Sequence, residues 1–575
     1  MMRRLHSDEG WIKRHLQLLM AFACFRKEES DSISVSAIPP VYEQPDCRWN
    51  GAIFTCWQTG AFSVIACDEF LSNEVFMSLN LDQTLSWSNA HAAAKPEAAA
   101  ELAMLNDLQG NILKGHGRDY TSNLFIAFDP QKKDAARRFA GSVADDVNAA
   151  LDQLLKAQAY RKSGVGGGTF VAFMLSSTGY DALGRQDARP ADPAFQEGMK
   201  TRQLNDPPVN AWEPHFAGEI HAMILIGHDD KATRDAERDK MVARINSTGG
   251  AVKLLNPAFG EDGNALRNAA GNGIEHFGYV DGRSQPLALQ EDVDGEKNGK
   301  GGISDWDPSI HLRQLLVPCP GGKHDVSFGS YFVFRKLEQN VRGFKTREEQ
   351  LSRQLEETYG LAANSVDVGA SVVGRFENGM PVTMSPVEGT IPAEGPSNNF
   401  NFADDAAGRK CPFAGHIRKS NPRTDTADSK THLMARRGIP YGTRTDDPND
   451  DRLDNKPTGN VGLLFMAFQS DLAKQFEFTQ TKWVNNANFR NSGKPGAPGA
   501  LIDPATGAAL DPPNPATGID PVIGQPAGQS GQRWPVEYGK RLSDGRGEED
   551  FSGFVIMRGG EYFFAPSITF LKSMR

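Results

Sequence analysis

Two apolar runs of the same pattern, Leu124-Phe-Ile-Ala-Phe128 and Leu464-Phe-Met-Ala-Phe468, lie far apart in the chain, and each leads into a helical segment. Short apolar runs of this kind read as strands buried on both faces. Around the first, residues 122–128 form a strand, 134–155 carry helical periodicity, 169–175 and 219–226 are further strands, and 230–245 is a charged amphipathic helix. Strand-helix-strand, strand-helix order suggests a ferredoxin-like α+β unit. The second run repeats the plan: a strand over 326–334, a helix opened towards Tyr359 by the capping box Thr346-Arg-Glu-Glu349, the strand 461–468 and a helix from Leu472. The pairing hints at internal duplication, with units at about 104–310 and 311–575 behind an extension over 1–103.

A chain of 575 residues can hold two domain-sized units or one composite core. Its 62 basic and 72 acidic residues give a net charge of -10 without a basic stripe, which argues against a nucleic-acid partner. A hydrophobic content of 39% with 33 Phe indicates an aromatic-rich globular interior. The six cysteines, at 24, 47, 56, 67, 319 and 411, form no Cys-x-x-Cys pair, so neither a zinc site nor a disulfide framework is expected in the later part. Cys411 reads as a small buried residue.

Near the N-terminus, Arg3, Arg4, Lys13 and Arg14 precede an apolar run over 16–25 that is too short to span a bilayer. The run ends in Arg26-Lys-Glu-Glu rather than a small-residue cleavage site, which favours a cytoplasmic protein over a secreted one. No other stretch reads as a membrane segment. Residues 88–105 form an Ala-rich helix broken at Pro96, and 495–531, rich in Gly, Pro and Ala, read as a long surface loop.

Three stretches carry chemistry: Cys411-Pro-Phe-Ala-Gly-His416-Ile-Arg-Lys-Ser-Asn-Pro-Arg423, Gly278-Tyr-Val-Asp281-Gly282 and Arg436-Arg-Gly-Ile-Pro440-Tyr-Gly442. Together they supply an imidazole able to hold iron, and a carboxylate with a guanidinium able to act on peroxide. Glu275-His-Phe-Gly-Tyr-Val-Asp-Gly-Arg-Ser-Gln-Pro286, Gln109-Gly-Asn-Ile112, Gly462-Leu-Leu-Phe465, Gly518-Ile-Asp-Pro-Val-Ile-Gly524 and Gly559-Gly-Glu-Tyr-Phe-Phe-Ala-Pro-Ser567 complete the pattern. The sequence resembles the dye-decolorizing haem peroxidases from about residue 104 to near its C-terminus.

The resemblance implies two ferredoxin-like units in a dimeric α+β barrel type haem fold, with one haem b per chain. It also implies iron ligated by His416, Asp281 and Arg436 acting on hydrogen peroxide, Arg423 meeting a propionate, and Leu463 and Phe465 as apolar walls. The implied reaction oxidises dyes, phenolics and other organic reductants through an oxoferryl state. Large dyes would pass electrons through surface residues among the 8 Trp and 10 Tyr. An Asp base stays ionised in acid where a His base would be protonated, which suggests an acid-shifted optimum.

Asp520 is the candidate carboxylate behind His416, with a turn-forming Asp before Pro as the alternative. His276, the nearest rival ligand, reads as a hydrogen-bonded residue beside the haem edge. Arg437 reads as a solvent or propionate contact. A haem-handling protein of the same fold needs His416 but not both Asp281 and Arg436. A non-haem metal site lacks a second ligand at suitable spacing from His416. Oligomeric state is not legible.

Overall fold

The computed structural model describes residues 79–575, except 93–95, 257–260, 282, 300, 324, 363–365, 393–394, 448–449, 451, 490–516, 526–529 and 544–549. Ahead of residue 79 it describes three short antiparallel strands, Cys47–Trp49, Ile53–Cys56 and Ile65–Ala66, within a separate unit over 1–75. Much of the loop over 495–531 lies outside the described residues.

Eight strands of the larger unit close into a ring. In chain order these are β1 (Tyr120–Phe128), β2 (Phe170–Leu175), β3 (Ala222–His228), β4 (Glu261–Asn264), β5 (Phe328–Gln339), β6 (Ile439–Tyr441), β7 (Gly462–Gln469) and β8 (Val555–Ala565). The first four are ordered β2-β3-β1-β4, and the last four β6-β7-β5-β8. The second half thus repeats the strand order of the first, the 2-3-1-4 arrangement of a ferredoxin-like unit. Two narrow seams join the halves: Phe564 pairs with Leu175 between β8 and β2, and Tyr441 with Gly263 between β6 and β4. Closure gives each strand of the ring a neighbour on both sides.

The strand sequences explain the barrel's interior. Every residue of β2, Phe-Val-Ala-Phe-Met-Leu, is buried, as a strand covered on both faces requires. Phe125 of β1 packs edge to face on Phe334 of β5 with ring centroids 4.9 Å apart, and Phe332 of β5 meets Phe468 of β7 at 4.7 Å. Outside the ring run α1 (Lys133–Val143), α2 (Ala150–Ser163), α3 (Lys231–Asn246) and α4 (Val341–Tyr359). The single helix expected over 134–155 is therefore two, interrupted at 144–149. Asp230 caps α3 by accepting the Thr233 amide at 2.8 Å.

Two expectations need correction. Helix α4 starts at Val341, capped by the Asn340 side chain on the Gly343 amide at 2.9 Å, so Thr346 and Glu349 lie inside the helix and form no capping box. The larger compact unit begins at Phe76, not at residue 104. Helices Trp87–Ala92 and Pro96–Asp107 are separate, with Pro96 opening the second, and Leu85, Trp87 and Met104 are buried in the same core as the barrel. Burying that apolar surface is what ties the described residues of 79–103 to the barrel. No described helix is long and apolar enough to cross a membrane.

Candidate active site

His416 opens the short helix His416–Ser420 directly after Gly415. Its Nδ1 lies 2.8 Å from Oδ2 of Asp520, a fully buried carboxylate. The other carboxylate oxygen accepts the amides of Val522 and Ile523, both at 2.8 Å, so Asp520 orders its own turn and faces the imidazole at once. A carboxylate can only accept, so Nδ1 carries the proton and the neutral ring keeps its Nε2 lone pair free. Burial alone would lower His416, but the attraction and hydrogen bond of Asp520 outweigh it and hold the imidazole above its ordinary value.

His416 lines a cavity of about 240 Å³ together with Asp281, Arg436, Arg423, Leu463 and Phe465. The walls follow from strand alternation. Along β7, Leu464 and Met466 are fully buried while Leu463 and Phe465 face the cavity, and Leu337 of β5 sits directly opposite Leu463 in the ladder. Val373, Ile417 and Val522 add further apolar surface.

Arg436 belongs to the two-residue strand Ala435–Arg436 beside β7, and its amide donates to Gln285 Oε1 at 3.0 Å. That bond ties it to the segment bearing Asp281. Burial pushes the Arg436 guanidinium down from its usual value, and the nearby Asp281 carboxylate opposes the shift.

Three further arginines, Arg283, Arg375 and Arg423, gather on one side of the cavity. Arg283 pairs with Glu296 at 2.6 Å. Arg375 and Arg423 reach no carboxylate among the described residues: Arg375 donates to the carbonyls of Gly379 and Ser397 and to Ser284 Oγ. Arg423 donates to the Asn398 carbonyl at 2.9 Å, to Asn398 Oδ1 at 2.6 Å and to the Phe400 carbonyl, and lies over the Phe400 ring at 3.8 Å. Its backbone is in the left-handed region at φ 49, a conformation that costs about 1–3 kcal/mol in a non-glycine residue. Burial and repulsion from Arg283 and Arg436 push Arg375 down to about 9, and burial with Arg375 and Arg283 nearby depresses Arg423 strongly. Buried cations without anions are unfavourable until an anionic group joins them. An apolar slot edged by such cations fits a flat macrocycle carrying carboxylates, with an imidazole lone pair available to its metal.

Sequence reasoning did not single out Arg375, Arg283, Gln285 or Glu275. Three of these sit inside the motif 275–286, which was the available signal; Arg375 had only its place after an apolar run, Val372-Val-Gly-Arg375. His276 is buried, its Nε2 is 2.8 Å from the Tyr441 carbonyl, and it is not part of the cavity wall. Arg437, expected at solvent or a propionate, is not part of the cavity wall either: it donates to the carbonyls of Asn111 and Ile112 at 2.7 and 2.8 Å, and of Arg436 at 2.8 Å. It thereby stitches the Gln109-Gly-Asn-Ile112 motif to the Arg436 strand. Cys411 is fully buried, and burial pushes its thiol up to about 12. Elsewhere, Glu213, His215 and Glu261 bring ligand atoms within 4.8 Å of one another, but Lys336 Nζ stands 2.9 and 2.8 Å from the two carboxylates and serves as their cation.

Fold and cavity together fit a protein that holds a haem. Comparison with known proteins agrees. Residues 107–258 match the model of the DyP dimeric alpha+beta barrel domain, and 285–492 that of the Dyp-type peroxidase C-terminal region. The multifunctional dye peroxidase DyP2 of Amycolatopsis sp. is 41% identical over 515 residues, 87% of this chain and all 100% of that protein. Its solved structure superposes with a TM-score of 0.75, covering 86% of this chain and 100% of that one. The DyP-type peroxidase of Anabaena sp. gives a TM-score of 0.72 at 36% identity, covering 88% and 100%. The fungal peroxidase AauDyP1 of Auricularia auricula-judae is 30% identical over 503 residues, 82% of this chain and 87% of its own. The chain belongs to the dye-decolorizing peroxidase family, and it is a dye-oxidising haem peroxidase.

Proposed function

We propose that the cavity holds one haem b per chain with His416 as its iron ligand, and that hydrogen peroxide is the oxidant for dyes, phenolics and other organic reductants. When bound, the haem supplies the iron at which peroxide is reduced and to which reducing equivalents return. What the chain itself contributes is orientation and proton handling. Asp520 fixes the His416 tautomer so that Nε2 can donate its lone pair. Asp281 takes the proton from one peroxide oxygen and delivers it to the other, which leaves as water. Arg436 stabilises the charge that develops on the departing oxygen. Arg375 and Arg423 meet the propionates, and Leu463 and Phe465 keep water from the reacting oxygens.

The observation that carries this reading is the convergence of the His416–Asp520 pair, Asp281 and Arg436 on one cavity edged by uncompensated guanidinia. Rapid mixing of the haem-loaded protein with peroxide, followed at the Soret band, tests it. Asp281→Asn should slow the spectral change about 10²- to 10⁴-fold, and Arg436→Leu by at least as much. A variant reacting at near wild-type rate removes its residue from the mechanism.

A further inference from the structure

Just ahead of Asp281 in the chain, the backbone folds around a single carboxylate, that of Glu275. Glu275 Oε2 accepts the Phe277 amide at 2.8 Å, and Oε1 accepts the Tyr279 amide at 3.2 Å. The backbone closes the same turn, the Gly278 amide donating to the Glu275 carbonyl at 3.0 Å and the Glu275 amide to the Tyr279 carbonyl at 3.3 Å. Gly278 sits at φ 100, where a side chain would be strained.

The turn is pinned from two neighbouring elements, the end of β5 and the start of α4. Gln339 Nε2 donates to Glu275 Oε2 at 2.6 Å. Phe277 stacks on Phe344 with centroids 4.0 Å apart and planes 14° from parallel. The Tyr279 hydroxyl donates to Glu348 at 2.6 Å, and Lys345 bridges Glu348 and Glu377 at 3.0 and 2.6 Å. Beyond the turn, the Val280 amide donates to the Glu377 carbonyl and the Asp281 amide to the Gly273 carbonyl, both at 3.1 Å. Glu275 itself lines the cavity with Asp281.

We propose that Glu275 is a positioning residue for Asp281: its carboxylate, gripped by Gln339, holds the 277–279 turn and so sets where the Asp281 carboxylate meets peroxide. This rests on the role assigned to Asp281 above. A buried acceptor shared by two backbone amides is costly to lose, since each amide would be left unpaired. Burial pushes the Glu275 carboxyl up to about 7 against its three donors, with the like charge of Asp281 adding to the shift. Gln339 Oε1 is buried without a partner, so the amide can turn to accept a hydrogen bond from neutral Glu275. The turn therefore stays held on both sides of neutrality.

The test combines exchange with a double-mutant cycle. Glu275→Gln leaves one oxygen to serve two backbone amides. In the haem-loaded protein, hydrogen exchange at the amides of 277–281 should then be about 10- to 100-fold faster than in wild type. Its Soret response to peroxide should be slowed about tenfold, whereas in an Asp281→Asn background the same substitution should change the rate less than about twofold. Gln339→Met, which leaves both Glu275 oxygens in place to accept the backbone amides, should shift exchange and rate in the same direction by less. Wild-type exchange in Glu275→Gln, or an equal loss of rate in both backgrounds, overturns the proposal. Should Asp281→Asn alone react like wild type, the role of Asp281 fails, while the exchange result still decides whether Glu275 holds the turn.

Discussion

Replacing Asp520 by Asn probes the cofactor side of the cavity with little change of shape. The amide oxygen can still accept from Val522 and Ile523, which the native Oδ1 binds at 2.8 Å. The amide nitrogen, however, would face His416 Nδ1, where a carboxylate oxygen now stands at 2.8 Å. Two donors cannot share that space, so the ring must place its proton on Nε2 and accept at Nδ1, which removes the lone pair aimed into the cavity. A hydrogen bond to a charged group contributes about 1.5–3 kcal/mol, equivalent to roughly 10- to 100-fold in affinity. The same range is typical when a partner behind a ligating histidine is lost. Titrating apo protein with haem at the Soret band should therefore show Asp520→Asn binding about 10- to 100-fold more weakly. Asp520→Ala should add a lower melting temperature, because the Val522 and Ile523 amides lose their acceptor. An Asn variant that binds haem within about twofold of wild type would refute the reasoning about the tautomer.

His276 should make the fold acid-sensitive. Burial lowers its imidazole from 6.5 to about 4, so on acidification the unfolded chain takes up this proton first. Stability from this group is thus present above about 6.5 and is lost as pH falls towards 4, by up to about 3 kcal/mol. His276→Gln should flatten denaturant midpoints across that window; an unchanged slope contradicts the assignment. Phe125→Ala, emptying the barrel's aromatic centre, should cost about 3–5 kcal/mol by denaturant unfolding. Oxidation of a phenolic or anthraquinone dye should peak below neutrality, since carboxylates stay ionised at lower pH than imidazoles.

The parts of the fold readable from sequence are those where one physical cause dominates. Runs such as Phe170-Val-Ala-Phe-Met-Leu175 are buried on both faces, so continuous apolarity marks them, and strand alternation then puts Leu463 and Phe465 on one side of β7. The seams that close the ring are invisible because each rests on a single residue pair, Phe564 with Leu175 and Tyr441 with Gly263. The start of α4 is misread because Asn340 competes with a better-known pattern at Thr346 and Glu349, which the strand-to-helix junction at Gln339 overrides. Within the cavity, His416, Asp281 and Arg436 are legible because their chemistry stands out locally. Arg375 and the Glu275–Gln339 contact depend on groups brought together only by folding, and no spacing records them.

Every role given to the cavity depends on haem being held through His416. Purified wild-type protein supplied with haem should show a Soret band that shifts on adding peroxide. His416→Ala should lose that band's wild-type position and bind haem more weakly. A colourless wild-type protein, or a His416→Ala variant with affinity and spectrum unchanged, would contradict it.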